Sequence, residues 1–394
     1  MEVKTILNIL RQKLANILKN NLIMYKIYYY IGTLLVNILK LFIKTDPKLI
    51  LFVSYGGKQY SDSPKVIYES MIKDPRFKEF KFVWALKKPE EFNVPGDANI
   101  IKIDTLKYYL ISLKARCWIT NVVIERTLNY SGKNTFYFCT WHGTPIKTIG
   151  YDVDRVTFYN HFKYKFDVMI AQGEYDKNIF KSAFNLSDDQ ILNIGIPRND
   201  VLITSDLTIQ RKVRNKLNIP ANKKVILYAP TYRDGQAFTM NEIINVKKWK
   251  KTLGDEYVLL FRSHSAVIKR LNIEEDKDFL FDVSDYQELN DLMIASDMLI
   301  SDYSSIFFDY SLLGKPIYCY AEDYEDYIAE RSVYFDIRKE LPGGSCDEDE
   351  LLNLIQSESN DDVLKKVRVF KENYLQYYGE ATKKSLDTIY NNIT

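Results

Sequence analysis

From position 49 onward the chain alternates short, continuous apolar runs with longer stretches of helical periodicity. Leu49–Ser54, Phe80–Leu86, Cys117–Asn121, Thr135–Trp141 and Val168–Ala171 each read as a buried strand. Strands apolar on both faces and joined by helical crossovers belong to a parallel sheet covered on both sides. Ile194-Gly195-Ile196-Pro197-Arg198 closes this first series. A second runs through Val225–Ala229, Tyr257–Arg262, Phe279–Asp282, Met298–Ser301 and Lys315–Tyr318. Two such series predict an α/β chain of two doubly wound, Rossmann-like domains with a cleft between them. The expected boundaries are 49–200 and 201–394, the latter with closing C-terminal helices. No internal repeat, low-complexity tract or G-x-G-x-x-G fingerprint is visible.

The first 48 residues differ. Ile6, Ile9, Leu10, Leu14, Ile17 and Leu18 recur at helical spacing with Lys and Arg between them. Eight basic and two acidic side chains give this segment a charge of +6, whereas all 394 residues together carry +2. A basic helix with one apolar stripe is the pattern of an element lying in a membrane interface. Leu22 to Ile43 is more apolar, although Lys26, Asn37 and Lys40 interrupt it and Gly32 sits inside. Its length suffices for a span, but its polarity is marginal. An ordinary packed helical pair and a true span are the alternatives to amphipathic, membrane-associating helices over residues 1–48. No short apolar core followed by a small-residue cleavage site is evident.

With 46% hydrophobic and 27% charged residues, the chain is globular rather than disordered. Its near-neutral balance lacks the basic footprint of a nucleic-acid binder, so no nucleic-acid partner is expected. Cys117, Cys139, Cys319 and Cys346 are scattered without a pairing framework and read as reduced thiols of a cytosolic protein.

Ligands of doubly wound sheets bind beyond the carboxyl ends of strands, and four polar clusters fall there. In Trp141-His142-Gly143-Thr144-Pro145-Ile146-Lys147, the histidine directly follows a strand, beside a glycine that permits a sharp turn. A histidine so placed suits proton removal near neutrality, against the plainer reading of a satisfied structural residue. Ala229-Pro230-Thr231-Tyr232-Arg233-Asp234 offers Arg233 as a phosphate clamp, or a loop ion pair with Asp234. In Phe261-Arg262-Ser263-His264-Ser265, Arg262 and His264 share a face if the segment is extended. Ser301-Asp302-Tyr303-Ser304-Ser305 precedes a helix, where free N–H groups and two hydroxyls attract anions or simply cap it. His161 lies among aromatics and reads as structural. Asp200, Asp234, Asp302 and Asp309 read as caps or loop charges, and no paired carboxylates suited to a catalytic metal stand beside the clusters.

In this order, W-H-G-T-P-x-K, the Gly195–Asp200 stretch G-x-P-R-N-D, A-P-T-Y-R at 229–233, R-x-H at 262–264 and S-D-Y-S-S at 301–305 resemble the CDP-glycerol glycerophosphotransferase family of teichoic acid and capsule synthesis. The resemblance covers roughly residues 50–365. It implies a B-type glycosyltransferase-like fold and transfer of glycerol phosphate from CDP-glycerol to an acceptor hydroxyl, with CMP leaving. No cofactor or metal is implied beyond the donor itself. The resemblance makes His142 and His264 catalytic. Arg262, Thr231, Arg233, Asp302, Ser304 and Ser305 become donor-binding, and Gly143, Thr144 and Lys147 loop or acceptor residues. The chain departs from the family at Ser263 and Ser265 around His264, and at Pro342-Gly343-Gly344. The implied partners are a lipid-linked saccharide and a membrane surface contacted through residues 1–48, at the cytoplasmic face of a bacterial plasma membrane. The Tyr-rich stretch 151–164 is a candidate acceptor wall, with core packing as the plainer role. Length leans toward adding one or a few units. The rivals are a CDP-ribitol-dependent transferase, a CMP- or UDP-sugar glycosyltransferase of the same fold, and a non-catalytic nucleotide-binding membrane scaffold.

Overall fold

The computed structural model describes residues 21–153, 163–205, 207–231, 244–263, 278–344, 347–357 and 360–394. They form a seven-stranded and a five-stranded sheet, both entirely parallel. The first contains β1 (Asp46–Val53), β2 (Lys81–Leu86), β3 (Asn99–Lys102), β4 (Ala115–Thr120), β5 (Phe136–Cys139), β6 (Val168–Ala171) and β7 (Ile191–Asn193), ordered β3-β2-β1-β4-β5-β6-β7. The second contains β8 (Lys224–Ala229), β9 (Tyr257–Phe261), β10 (Leu280–Asp282), β11 (Met298–Ser301) and β12 (Ile317–Cys319), ordered β10-β9-β8-β11-β12. Ten of these strands match the apolar runs. β3 and β7 lie at the sheet edges, where only Ile101 and Ile191 are buried, so neither shows a continuous apolar run.

Alternate residues of each strand feed opposite cores. Leu49, Leu51 and Val53 pack with Trp118 and Tyr137 on one face, while Ile50 and Phe52 pack with Trp84, Ile119 and Phe138 on the other. The second sheet repeats this, with Leu227 and Leu299 opposite Ile226 and Ile300. In both sheets the strand order reverses beside the first strand, between β1 and β4 and between β8 and β11. Those reversals open the crevices where doubly wound folds take ligands.

The helices around the sheets include α1 (Leu22–Phe42), α2 (Asp62–Met71), α3 (Glu174–Phe184), α4 (Ile306–Ser311) and α5 (Ala381–Ile393). The last crosses back to the first sheet. Leu386, Ile389 and Ile393 of α5 join the core of Ile50, Phe52 and Trp84, and the Asp200 carboxylate accepts from the Ala381 and Thr382 N–H groups. The closing helix α5 thus covers one face of the first sheet.

The predicted helical segment 1–20 lies outside the described residues. α1 is long and apolar enough, by length and composition, to cross a membrane. One face is pinned to the first domain. The Tyr28 hydroxyl donates to the Arg126 carbonyl (3.1 Å), Asn37 Nδ2 donates to the Asn129 carbonyl (3.0 Å), and Asn129 N donates to Thr33 Oγ1 (3.0 Å). The other face exposes Ile23, Ile27, Tyr30, Ile31, Leu34, Leu35, Leu41 and Phe42.

Candidate active site

β1 ends in Ser54-Tyr55-Gly56-Gly57 and β4 in Thr120-Asn121, side by side at the first reversal point. Asn121 serves both neighbours. Its Oδ1 accepts from Tyr55 N (2.8 Å), and its carbonyl oxygen lies 2.9 Å from His142 Nδ1. A carbonyl can only accept, so Nδ1 carries the ring proton and Nε2 keeps its lone pair. Burial pulls the His142 pKa below its usual 6.5, against the Asn121 carbonyl and Asp62, which favour the charged ring; Arg198 adds to the lowering. The imidazole is thus neutral at pH 7 with a bare Nε2. Tyr55 (φ 45°), Asp62 (φ 64°) and Trp141 (φ 50°) are in the left-handed region although none is glycine. Such strain costs of order 1–3 kcal/mol per residue and gathers at functional sites.

Arg198, in the turn Pro197–Asn199, lies beneath this loop. Its Nη1 bonds Asp62 Oδ2 at the start of α2 (2.7 Å), and its Nη2 bonds Asp309 Oδ2 on α4, which follows β11 of the second sheet (2.7 Å). Nη2 also donates to the His142 carbonyl (3.2 Å). The Asp62 and Asp309 side chains are only 3% and 2% exposed. Burial works against the guanidinium, but Asp309 and Asp62 outweigh it and push its pKa above the usual value. Burial alone would raise Asp62, yet Arg198, the Tyr55 hydroxyl and Ser63 N–H hold it below the usual carboxylate range. Asn199 Nδ2 donates to the other Asp309 oxygen (2.6 Å).

At the second reversal point, Asp302 Oδ1 accepts from Thr231 N (2.8 Å) and Tyr303 N (2.6 Å), and Ser301 Oγ donates to the Ala229 carbonyl (2.6 Å). These bonds tie the ends of β8 and β11 together. Ser304 and Ser305, half-buried, lead into α4, where Ser304 Oγ accepts from Ile306 N (3.3 Å). The loops of the two sheets touch here: a Cβ on Gly143 (φ 141°) would stand 2.6 Å from Ser305 Oγ and 2.9 Å from its Cβ. Only glycine lets the His142 loop approach so closely. Nearby, Arg262 Nη1 donates to the Val283 (3.3 Å) and Tyr286 (2.5 Å) carbonyls.

The family model for CDP-glycerol:poly(glycerophosphate) glycerophosphotransferases matches residues 35–393. The chain belongs to this family. It is 37% identical over 322 residues to a teichoic acid glycerol-phosphate transferase of Staphylococcus aureus, covering 76% of this chain and 80% of that one. Over 316 residues it is 37% identical to a teichoic acid poly(glycerol phosphate) polymerase of Staphylococcus epidermidis, covering 75% of this chain but only 43% of that longer protein. Among solved structures it resembles the wall teichoic acid polymerase TagF, with a TM-score of 0.80 and 33% identity over 89% of this chain and 90% of that one. A TagF variant soaked with CDPG superposes with a TM-score of 0.79 at the same identity and coverage. The chain is a glycerophosphotransferase of teichoic acid synthesis.

In this glycerophosphotransferase, the loop of His142 and Gly143 meets the loop of Ser304 and Ser305 through Gly143 and Ser305. Thr144 does not face that contact. It is buried and accepts from Gln172 Nε2 (3.0 Å) through Oγ1. Lys147 is bridged antiparallel to Val333, with its ammonium 5.5 Å from the centre of the Tyr327 ring. Asp302 and Thr231 brace the second reversal point, and Arg262 braces the loop after β10. Arg233, His264 and His161 lie outside the described residues. Asp309, read as a cap or loop charge, is instead half of a buried ion pair with Arg198. Of the tyrosines in stretch 151–164, Tyr151 and Tyr164 are described: Tyr151 is exposed, whereas Tyr164 packs edge-on against Phe184 at 4.7 Å, in keeping with core packing of that residue. Among the described residues, no group of three or more His, Cys, Asp or Glu side chains is arranged to hold a metal ion. Asp62, Asn121 and Arg198 were not among the predicted site residues. The available signal was Arg198 inside G-x-P-R-N-D and Asn121 at a strand end.

Proposed function

We propose that His142 is the general base of glycerol-phosphate transfer from CDP-glycerol. The supporting observation is its bond to the Asn121 carbonyl, which leaves Nε2 unprotonated. In the proposed reaction Nε2 takes the proton of an acceptor hydroxyl as the oxygen attacks the phosphorus bearing glycerol. The new O–P bond forms, the bond to the bridging oxygen breaks, and CMP departs with the electron pair. Arg262, Arg233, His264 and the Ser304–Ser305 hydroxyls are the proposed donor-side groups, stabilising charge on the leaving phosphate. Thr231 and Asp302 hold the donor-side loop. The two-sheet arrangement fits a B-type glycosyltransferase-like architecture, supporting a donor held by the second domain and an acceptor by the first.

The acceptor in this reading is a lipid-linked saccharide at the cytoplasmic face of the membrane. The exposed apolar face of α1 beside a pinned one supports a helix lying in the interface rather than spanning it, because a span would tear away its bonds to residues 126–129. Anionic lipid would add about 1 kcal/mol for each Lys or Arg of residues 1–48 held near the surface.

The test is purified enzyme with CDP-glycerol and a lipid-linked acceptor analogue, following CMP release and acceptor mass. Mass gains of one glycerol phosphate are expected, and their number separates a primase from a polymerase. CMP formed only from CDP-ribitol would move the donor. His142→Ala should lower turnover by about 10²–10⁴-fold, and the acid limb of the wild-type rate profile should fall below pH 6.5, as the lowered pKa requires. Undiminished turnover in this variant would remove His142 from the chemistry.

A further inference from the structure

We propose that Arg198 is a positioning residue for the transfer, holding the His142 loop of one domain in register with the Ser305 loop of the other. This rests on reading His142 as the base. Arg198 touches three parts of the site at once: Asp62 on α2, Asp309 on α4 and the main chain of His142. Each carboxylate is itself held. Asp62 accepts from the Tyr55 hydroxyl and Ser63 N (both 2.5 Å), and Asp309 accepts from Asn199. The Arg198 carbonyl in turn accepts from Asn290 Nδ2 of the second domain (2.5 Å). A planar fork can join two carboxylates and a carbonyl at fixed angles, whereas a lysine ammonium can reach only part of that set. A Cβ on Gly143 would stand 3.5 Å from Nη2, so the clasp sits directly behind the contact between the two loops. Misplacement of a reacting group by about 1 Å costs on the order of 10²-fold in rate.

The charged and titratable groups around His142 are Asp62 on α2, Tyr55 after β1, Arg198 in its turn and, through Arg198, Asp309 on α4. Arg262 faces Tyr55 from the second domain. Removing the Arg198 charge leaves Asp62 uncompensated, favours the imidazolium and moves the acid limb of the rate toward higher pH.

Arg198→Lys, Arg198→Gln and Asp309→Asn should be assayed with CDP-glycerol in the wild-type and His142→Ala backgrounds, with thermal unfolding as the fold control. Arg198→Lys is expected to lower kcat about 10²-fold with the donor KM within about threefold, and Arg198→Gln to raise the acid limb by about one pH unit. In the His142→Ala background neither Arg198 change should lower the residual rate further, because groups acting as a unit are not additive. If the Arg198 variants fail to fold, Asp309→Asn, an isosteric change in the other domain, should still lower kcat selectively. Wild-type kcat in Arg198→Lys or in a folded Asp309→Asn would overturn the proposal, as would equal losses in both backgrounds. Full turnover in His142→Ala alone would instead overturn the base on which it rests.

Discussion

Gly143→Ala tests whether two motifs more than 150 residues apart meet as described. The new Cβ would stand 2.6 Å from Ser305 Oγ and 2.9 Å from Ser305 Cβ, closer than real Cβ contacts allow. Two costs add. A non-glycine residue at φ 141° carries about 1–3 kcal/mol of backbone strain, and forcing a methyl into a filled space costs about 1–3 kcal/mol more. The variant should therefore lose about 2–6 kcal/mol of stability, read from urea unfolding. Turnover should fall about 10²-fold if the His142 loop yields by about 1 Å. Both clashing atoms belong to Ser305, so Gly143→Ala combined with Ser305→Gly should recover the steric share, about 1–3 kcal/mol, while the backbone share remains. Activity should stay low in the double variant, because Ser305 is a proposed donor-side group. A double variant no more stable than Gly143→Ala would refute the contact between the two loops. A single variant with wild-type stability would refute the strain as well.

Two further outcomes follow from groups away from the reacting atoms. Glu125 is buried between Ile124 N and the Tyr137 hydroxyl, from both of which it accepts through Oε2, and burial pushes its pKa from 4.5 up to about 7. The folded protein keeps a proton that the unfolded chain releases between pH 4.5 and about 7, so this contribution to stability is lost as pH rises through that window. Glu125→Gln should flatten the pH dependence and stabilise the protein above pH 7 by up to about 3 kcal/mol; unfolding curves with unchanged pH dependence would remove Glu125 as its source. On α1, replacing Ile31, Leu34, Leu35 and Phe42 together by serine removes exposed apolar surface without touching Tyr28, Thr33 or Asn37. Sedimentation with anionic liposomes should then drop by more than about tenfold, each buried side chain being worth about 1.5–3 kcal/mol, while turnover on a soluble acceptor is kept. Undiminished sedimentation would count against α1 as the anchoring face.

The two parallel sheets were legible in the sequence because strands buried on both faces must be continuous apolar runs, and such runs are local. Leu49–Val53 and Met298–Ser301 could be recognised without knowing their neighbours. The edge strands β3 and β7 escaped notice because an edge buries too few side chains to leave that mark. That the clusters around His142 and Ser304–Ser305 stand at strand ends was legible for a related reason, since each directly follows an apolar run. What local pattern could not supply was the partnership among polar residues. Asp62, Asn121, Arg198 and Asp309 look ordinary along the chain, where a carboxylate near a helix reads as a cap or a solvated charge. Asp200 does cap α5, whereas Asp309, with the same sequence reading, forms a buried ion pair with Arg198. Strand order and the contact between the loops of the two sheets decide between these fates. Burial makes an unpaired charge too costly to keep, so each of these buried carboxylates is matched to whichever donor the tertiary fold brings within hydrogen-bonding reach. The sequence alone therefore determined where the proposed reacting groups stand along the chain, and the tertiary structure alone determined what holds them there.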